Sequence, residues 1–345
     1  MNAASSSALR LGPLSVLLRP RAVVVCIVLL LVALALGIVL LGTGTLPFSA
    51  SEVIAGLFGT GDNATAERVI LRVRLPRLVT AIFVGASLGM AGSIFQSISR
   101  NALGSPDVIG FTTGAATGAI VQIILFNAGP LQTSLAAVAA GLATAVVVFL
   151  LSMKSRATGG YRLVLVGIGV GAILSGFNTV LLVMGDLEQA MSAQMWLAGS
   201  LNTRTWAHAI PAALGFLIVL PVAILHARRI DLLEMGDDAA KQLGVRVEPT
   251  RLAMVMAAVA LTAIATAAAG PIAFVALAAP QLARRLTASP QVPLLSGAIM
   301  GVVLLLAADL LSQRLPLNAN MPIGLTTGLL GGLYLLWLLS RSRRI

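Results

Sequence analysis

The residues able to do chemistry are few, and their spacing excludes most reactions. The two histidines, His208 and His226, flank a single apolar run. A helix rises about 1.5 Å per residue, so they stand about 27 Å apart and cannot share a metal ion within it. The only cysteine, Cys26, lies inside another apolar run, which excludes an internal disulfide and a cysteine metal site. A phosphate-binding P-loop needs lysine directly after glycine, but Lys154 and Lys241 follow Met153 and Ala240. The chain therefore cannot hydrolyse ATP by that route. Gly167-Ile168-Gly169 imitates a dinucleotide fingerprint, yet it sits inside an apolar run with no preceding strand. No acidic residue stands at the centre of an apolar run; Asp309, near the end of one, comes closest. Ion-coupled carriers usually bury an ionisable group at mid-membrane, so that mechanism is disfavoured. No constellation reads as catalytic, metal-binding or cofactor-binding.

What remains is charge outside the apolar runs. Arg68, Arg72, Arg74 and Arg77 crowd into one short stretch, either as anchors for lipid phosphates or as a platform for acidic groups on a partner. Residues 230–247 read as two short helices. Asp231 and Glu234 have capping-box spacing at the start of the first, which Gly236 breaks. Asp237 caps the second, spanning 238–243, and Gly244 closes it in a left-handed conformation. Apolar residues set between charges on so short a unit suit either a groove on another protein or a plain structured loop.

These features must be positioned by apolar elements. Of 345 residues, 58% are hydrophobic and 10% charged, with a mean hydropathy of +0.99; a soluble domain carries about 25% charged residues. Apolar runs fall near 23–41, 78–98, 108–126, 131–152, 162–184, 207–225, 252–269, 271–286, 292–311 and 322–339. A hydrocarbon core about 30 Å thick takes about 20 apolar residues per helical crossing. Backbone groups cannot go unpaired in lipid and the runs are too long for barrel strands, so they are helices. The expected fold is all-α: one polytopic membrane domain, 1–345, of about ten transmembrane helices. Run 23–41 is longer than a signal-peptide core and reads as a retained first span. Run 271–286 is split at Gly270-Pro271 and interrupted by Pro280, as a broken span lining a pathway or as a kinked packing helix.

The net charge of +11 reads as orientation rather than as a nucleic-acid signal, because the arginines sit in short loops. Of the 23 Lys and Arg residues, seventeen lie on the side of the termini and six on the other. That bias places both termini in the cytoplasm, with 1–22 as a cytoplasmic tail, 226–251 as a cytoplasmic loop, and 43–77 and 185–206 outside. Small residues recur at four-residue spacing: Gly110, Gly114 and Gly118; Gly167 and Gly171; Gly297 and Gly301; Gly328 and Gly332. In lipid such spacing lets helices approach closely.

Several segments together resemble the FecCD-type permeases, the membrane subunits of ABC importers for iron-siderophores, haem and vitamin B12. They are Arg74-Leu-Pro-Arg77, Arg100-Asn-Ala-Leu-Gly-Ser-Pro-Asp-Val-Ile-Gly110, Gly270-Pro-Ile-Ala-Phe-Val-Ala-Leu-Ala-Ala-Pro280 and Met321-Pro-Ile-Gly-Leu-Thr-Thr-Gly-Leu-Leu-Gly-Gly332. The resemblance runs from about residue 50 to the C-terminus, and the wording of 105–111 is similar to the ferric-enterobactin branch. It implies the type II importer architecture in the cytoplasmic membrane, with a second permease subunit, identical or related, two ATPase subunits and an extracytoplasmic substrate-binding protein. The implied function is ATP-driven import of ferric siderophore across the bilayer, with haem or a corrinoid as the alternative cargo; the chain itself is not an enzyme. By position, Arg74 and Arg77 match residues that dock the binding protein. Asp237, Asp238, Ala239, Ala240, Leu243 and Gly244 match the loop coupled to the ATPase, and Asn101, Leu103, Gly159 and Gly160 match constrictions of the pathway. Three departures stand out: Ala102 replaces a common proline, Gln281 a common histidine, and Gln313 a common docking arginine, with Arg314 following it.

Overall fold

The computed structural model describes residues 7–11, 14–60, 63–106, 110–154, 157–158, 160–314 and 321–341. Strands β1 (Ser7–Leu11) and β2 (Leu14–Leu18) pair antiparallel ahead of α1 (Pro20–Gly42). Next come α2 (Ala50–Phe58), α3 (Ala64–Val69), a π-helical turn Ile70–Arg74, and α4 (Leu75–Ser99). Helices α5 (Phe111–Phe126) and α6 (Pro130–Ser152) lead to a minimal strand pair, β3 (Met153–Lys154) with β4 (Ala157–Thr158). Then follow α7 (Gly160–Met184), α8 (Leu187–Leu197), α9 (Trp206–Glu234) and α10 (Asp237–Gln242). The chain closes with α11 (Val247–Ala269), α12 (Val275–Thr287), α13 (Leu294–Arg314) and α14 (Ile323–Arg341).

Every apolar run thus carries a helix, although 271–286 becomes helical only from Val275. Seven helical segments are long and apolar enough to cross a membrane, α3 and α4 counting as one with the π-turn between them. Helices α5 and α14 are apolar but shorter over the described side chains, and α12 has 13 residues. Helix α9 departs from expectation. It does not stop near residue 225 but runs on to Glu234, through Pro211 and Pro221. The expected separate helix opened by Asp231 is its last turn, and Asp231 caps nothing: its Oδ1 accepts the Val292 N–H at 2.7 Å.

Helix α4 is the axis of the bundle, with 83% of an 18-residue apolar stretch of its segment buried. It packs against α13, α11, α9 and α12. Glycines make this possible, since apolar side chains gain little by leaving apolar lipid and close backbone approach must supply the contact. Gly85 and Gly89 face Gly301 and Gly297 of α13, and a Cβ at Gly92 would stand 1.7 Å from the Ala276 carbonyl oxygen. Gly114 and Gly118 likewise seat α5 on Thr144 and Ala136 of α6. The small-residue spacing therefore marks packing at these positions, but Gly328 and Gly332 of α14 meet only open space. Helix α7 is also thinly covered, with 17% of an 18-residue apolar stretch buried.

The break before α12 is real. Gly270 takes φ +73 and Phe274 φ +67, and the chain between them is not helical. Backbone bonds hold its surroundings: the Ser200 N–H donates to the Ala269 carbonyl just before the break at 2.7 Å, and the Gly324 N–H of α14 donates to the Ala198 carbonyl after α8 at 3.0 Å.

Candidate functional site

Candidate functional residues gather at the two ends of the bundle, and a cavity opens beside the break before α12. At the end shared by α1 and the close of α9, Gly236 (φ +120) turns the chain into α10, and Gly244 (φ +80) turns it out again. Ala240 is buried and clusters with Leu233 and Val247, while Met235, Asp238, Lys241 and Leu243 are exposed. Asp237 does not cap α10 with its side chain. Instead both its carboxylate oxygens accept from Arg251 Nη2 at 2.8 Å, and one also accepts from Arg100 Nη2. Arg251, whose side chain is 5% exposed, reaches Glu248 at 2.7 Å with its other nitrogen. Burial works against charge on Asp237, but the hydrogen bonds and field of Arg251 and then Arg100 outweigh it and hold the carboxyl below its ordinary range. A second pair, Arg284 with Glu234 at 2.8 Å, fastens α12 to the end of α9.

Arg100 carries this network into α4. It ends that helix in the left-handed region, φ +50, and its Nε donates to the Leu233 carbonyl at 3.1 Å. Such a conformation persists where surrounding contacts over-determine it. The turn that follows holds Asn101 and Leu103, with the Leu103 N–H donating to Asn101 Oδ1 at 2.9 Å. Gln281 Nε2 donates to the Ala102 carbonyl at 2.7 Å, so two of the departures from the family wording meet in one hydrogen bond. Gly160 opens α7, whereas Gly159 lies outside the described residues.

At the opposite end, two of the expected docking arginines are engaged within the chain. Arg74 donates to the carbonyls of Leu41, at 2.7 Å, and Leu46, with its guanidinium 4.7 Å above the Phe48 ring. Arg77 pairs with Asp309, which is 2% exposed, and so ties α4 to α13. Gln313 donates to the same carboxylate at 3.2 Å. Arg68, Arg72 and Arg314 are exposed.

The cavity, about 490 Å³, lies among α5, α7, the end of α8, the break before α12 and the start of α14. Thr112, Thr113, Ser175, Asn178 and Thr179 give it polar walls; Ile120, Leu182, Leu197 and Leu325 give apolar ones, and Pro271 and Ala273 bring in the break. Sequence reading singled out the break but neither Asn178 nor the pairing of Asp237 with Arg251, which nothing in their spacing announces. The Gly85 and Gly89 pair was legible in principle, since it has the four-residue spacing of the other small-residue rows; Gly92 follows at three.

A model of the FecCD transport family matches residues 27–341. The chain is 44% identical to the ferric enterobactin transport system permease protein FepG of Escherichia coli (strain K12), over 94% of this chain and 98% of that one. It is 34% identical to the hemin transport system permease protein HmuU of Yersinia pestis, over 94% and 97%. A solved structure described as an inward-facing conformation of a metal-chelate type ABC transporter superposes with a TM-score of 0.82 at 29% identity, covering 92% of this chain and 99% of that one.

Proposed function

Because the chain belongs to the FecCD transport family, we propose that it is the membrane-spanning subunit of an ATP-driven importer whose cargo is a ferric siderophore. The observation that carries the cargo is the 44% identity, end to end, with a ferric enterobactin permease. Haem is the second reading, favoured by the 34% identity with a hemin permease. The whole chain acts as one permease domain in the cytoplasmic membrane, and the seventeen-to-six bias of Lys and Arg puts both termini in the cytoplasm.

In this reading the working unit adds a second permease, two ATPases and an extracytoplasmic binding protein. Helix α10 with the turn that follows it, Asp237 to Gly244, is the ATPase contact: Asp238, Ala239, Lys241 and Leu243 meet the motor while Ala240 and Asp237 hold the helix to the bundle. Motion then passes through Asp237 to Arg100 and the Asn101–Leu103 turn, the inner constriction of the pathway together with Gly159 and Gly160. The outer dock for an acidic binding protein uses the exposed charge of Arg68, Arg72 and Arg314, with Arg74 and Arg77 as the framework beneath. The thinly covered α7 and α14 suit contact with the second permease or with lipid.

The test is uptake of radiolabelled iron by cells lacking this gene, supplied with a panel of chelators and with haem. Loss confined to one or more siderophores is expected, restored by the gene in trans. Loss of haem uptake alone would transfer the conclusion to the second reading, and unchanged uptake of every compound would refute both.

A further inference from the structure

We propose that Gln281 is a positioning residue that latches the Asn101–Leu103 turn to α12 and α14 and lets it go when α10 moves. This rests on the transport reading, in which that turn belongs to the inner constriction. Gln281 is 9% exposed. Its Nε2 donates to the Ala102 carbonyl at 2.7 Å, and a carbonyl can only accept, so the orientation of the amide is set. Its Oε1 is left to accept, and the Tyr334 hydroxyl donates to it at 3.4 Å. The longer contact is the weaker one. One buried amide thus joins three parts of the chain that are distant in sequence: the turn after α4, the middle of α12 and the C-terminal half of α14.

Helix α12 gives the amide a firm base. Pro280 has no N–H to offer the Ala276 carbonyl, and that carbonyl meets Gly92 of α4, where a Cβ would stand 1.7 Å from it. One turn further along α4, Gln96 Nε2 donates to the Leu277 carbonyl at 2.9 Å. So α12 is fixed to α4 before Gln281 reaches out to the turn. The other support of the turn differs in kind. Arg100 holds it to α9 and α10 through the Leu233 carbonyl and the Asp237 carboxylate. Hydrogen bonds that carry charge are about twice as strong as neutral ones, so a turn drawn by α10 follows Arg100 and parts from Gln281. Ala102 is exposed and its freed carbonyl can turn to water, whereas the buried Gln281 amide is left without an acceptor. An unmade buried bond is costly, which returns the turn to its seat when α10 moves back.

The experiment uses the complete transporter, in nanodiscs for hydrogen exchange and in proteoliposomes for ATP-driven transport of a ferric tris-catecholate. The reporters are the N–H groups of Leu103 and Gly104, which bond to Asn101 Oδ1 and to the Asn101 carbonyl, each at 2.9 Å. Gln281→Met keeps the volume and removes both donor and acceptor. It should speed exchange at these two amides about two- to tenfold, the effect of one neutral hydrogen bond. Cargo moved per ATP should fall, while exchange across 238–243 stays unchanged. Tyr334→Phe, which keeps the test available if the first variant fails to fold, should act in the same direction by less. The double variant should match Gln281→Met alone, because Tyr334 works through Gln281. Gln281→His, whose ring N–H can also donate, should keep exchange slow. Unchanged exchange in Gln281→Met would mean that packing alone seats the turn, and equal acceleration across 238–243 would mean general loosening. Faster exchange with unchanged cargo per ATP would mean that the bond has no part in transport. Each of the three overturns the latch. A wild-type transporter that moves no ferric chelate would instead overturn the transport reading, on which the exchange result does not depend.

Discussion

Replacing Asp237 with alanine should unseat α10 and uncouple ATP hydrolysis from transport while leaving the membrane bundle folded. The carboxylate receives three contacts from two guanidinium groups, two from Arg251 at 2.8 Å and one from Arg100. Hydrogen bonds to charged groups contribute about 1.5–3 kcal/mol each, but this carboxylate is 35% exposed and solvent screens it. The loss for the whole group is therefore set at about 2–3 kcal/mol, a shift of about 30- to 150-fold in the ratio of seated to unseated α10. Arg251 keeps Glu248, so its buried charge is not orphaned and the bundle should hold. Hydrogen exchange at the amides of 238–244 should accelerate by a comparable factor, and cargo moved per ATP in proteoliposomes should drop. The pH dependence has a definite sign. Asp237 is depressed in the folded chain, so its contribution is complete above the unfolded carboxyl value of about 3.9 and fades only as pH falls through the lower folded value. After correction for intrinsic rates, wild-type protection of these amides at pH 5 should equal that at pH 7. Unchanged exchange and unchanged stoichiometry in Asp237→Ala would refute the linkage from α10 to α4.

Arg77→Ala should destabilise the purified protein by about 2–3 kcal/mol, because it leaves the buried Asp309 carboxylate with Gln313 as its remaining donor; the double change Arg77→Met with Asp309→Leu should recover most of the thermal stability in detergent. A full-stability single variant would show the pair to be dispensable. Gly92→Ala should abolish folded yield, since its Cβ collides with the Ala276 backbone, whereas Gly328→Ala, with nothing within 4 Å, should leave the yield of folded chain unchanged. Gly244→Val at φ +80 should strain the exit from α10 and weaken copurification with the ATPase without affecting membrane insertion; equal copurification would argue against α10 as the contact.

Much of this architecture was legible because membrane physics compresses the choices. A run of about 20 apolar residues must be a helix, and the Gly270-Pro271 split and the turns at Gly236 and Gly244 were visible as local backbone signals. Where reading failed, the decisive interactions were distant in sequence. Asp231 and Glu234 have the spacing of a cap, but Asp231 is taken by Val292 and Glu234 by Arg284, both reached across the bundle. The contacts of Arg74 with Leu41 and Leu46, and of Arg77 with Asp309, are likewise distant in sequence and not announced by spacing. Asn178 was silent because an amide in an apolar run gives no sign of which carbonyl it will meet.

The central claim, an ATP-driven import subunit, is tested most directly in proteoliposomes containing this chain with its partner permease, the ATPase and the cargo-loaded binding protein. ATP added on the side of the ATPase should drive accumulation of the ferric siderophore, with none in its absence or under an imposed proton or sodium gradient alone. Accumulation driven by such a gradient without ATPase or nucleotide would contradict it.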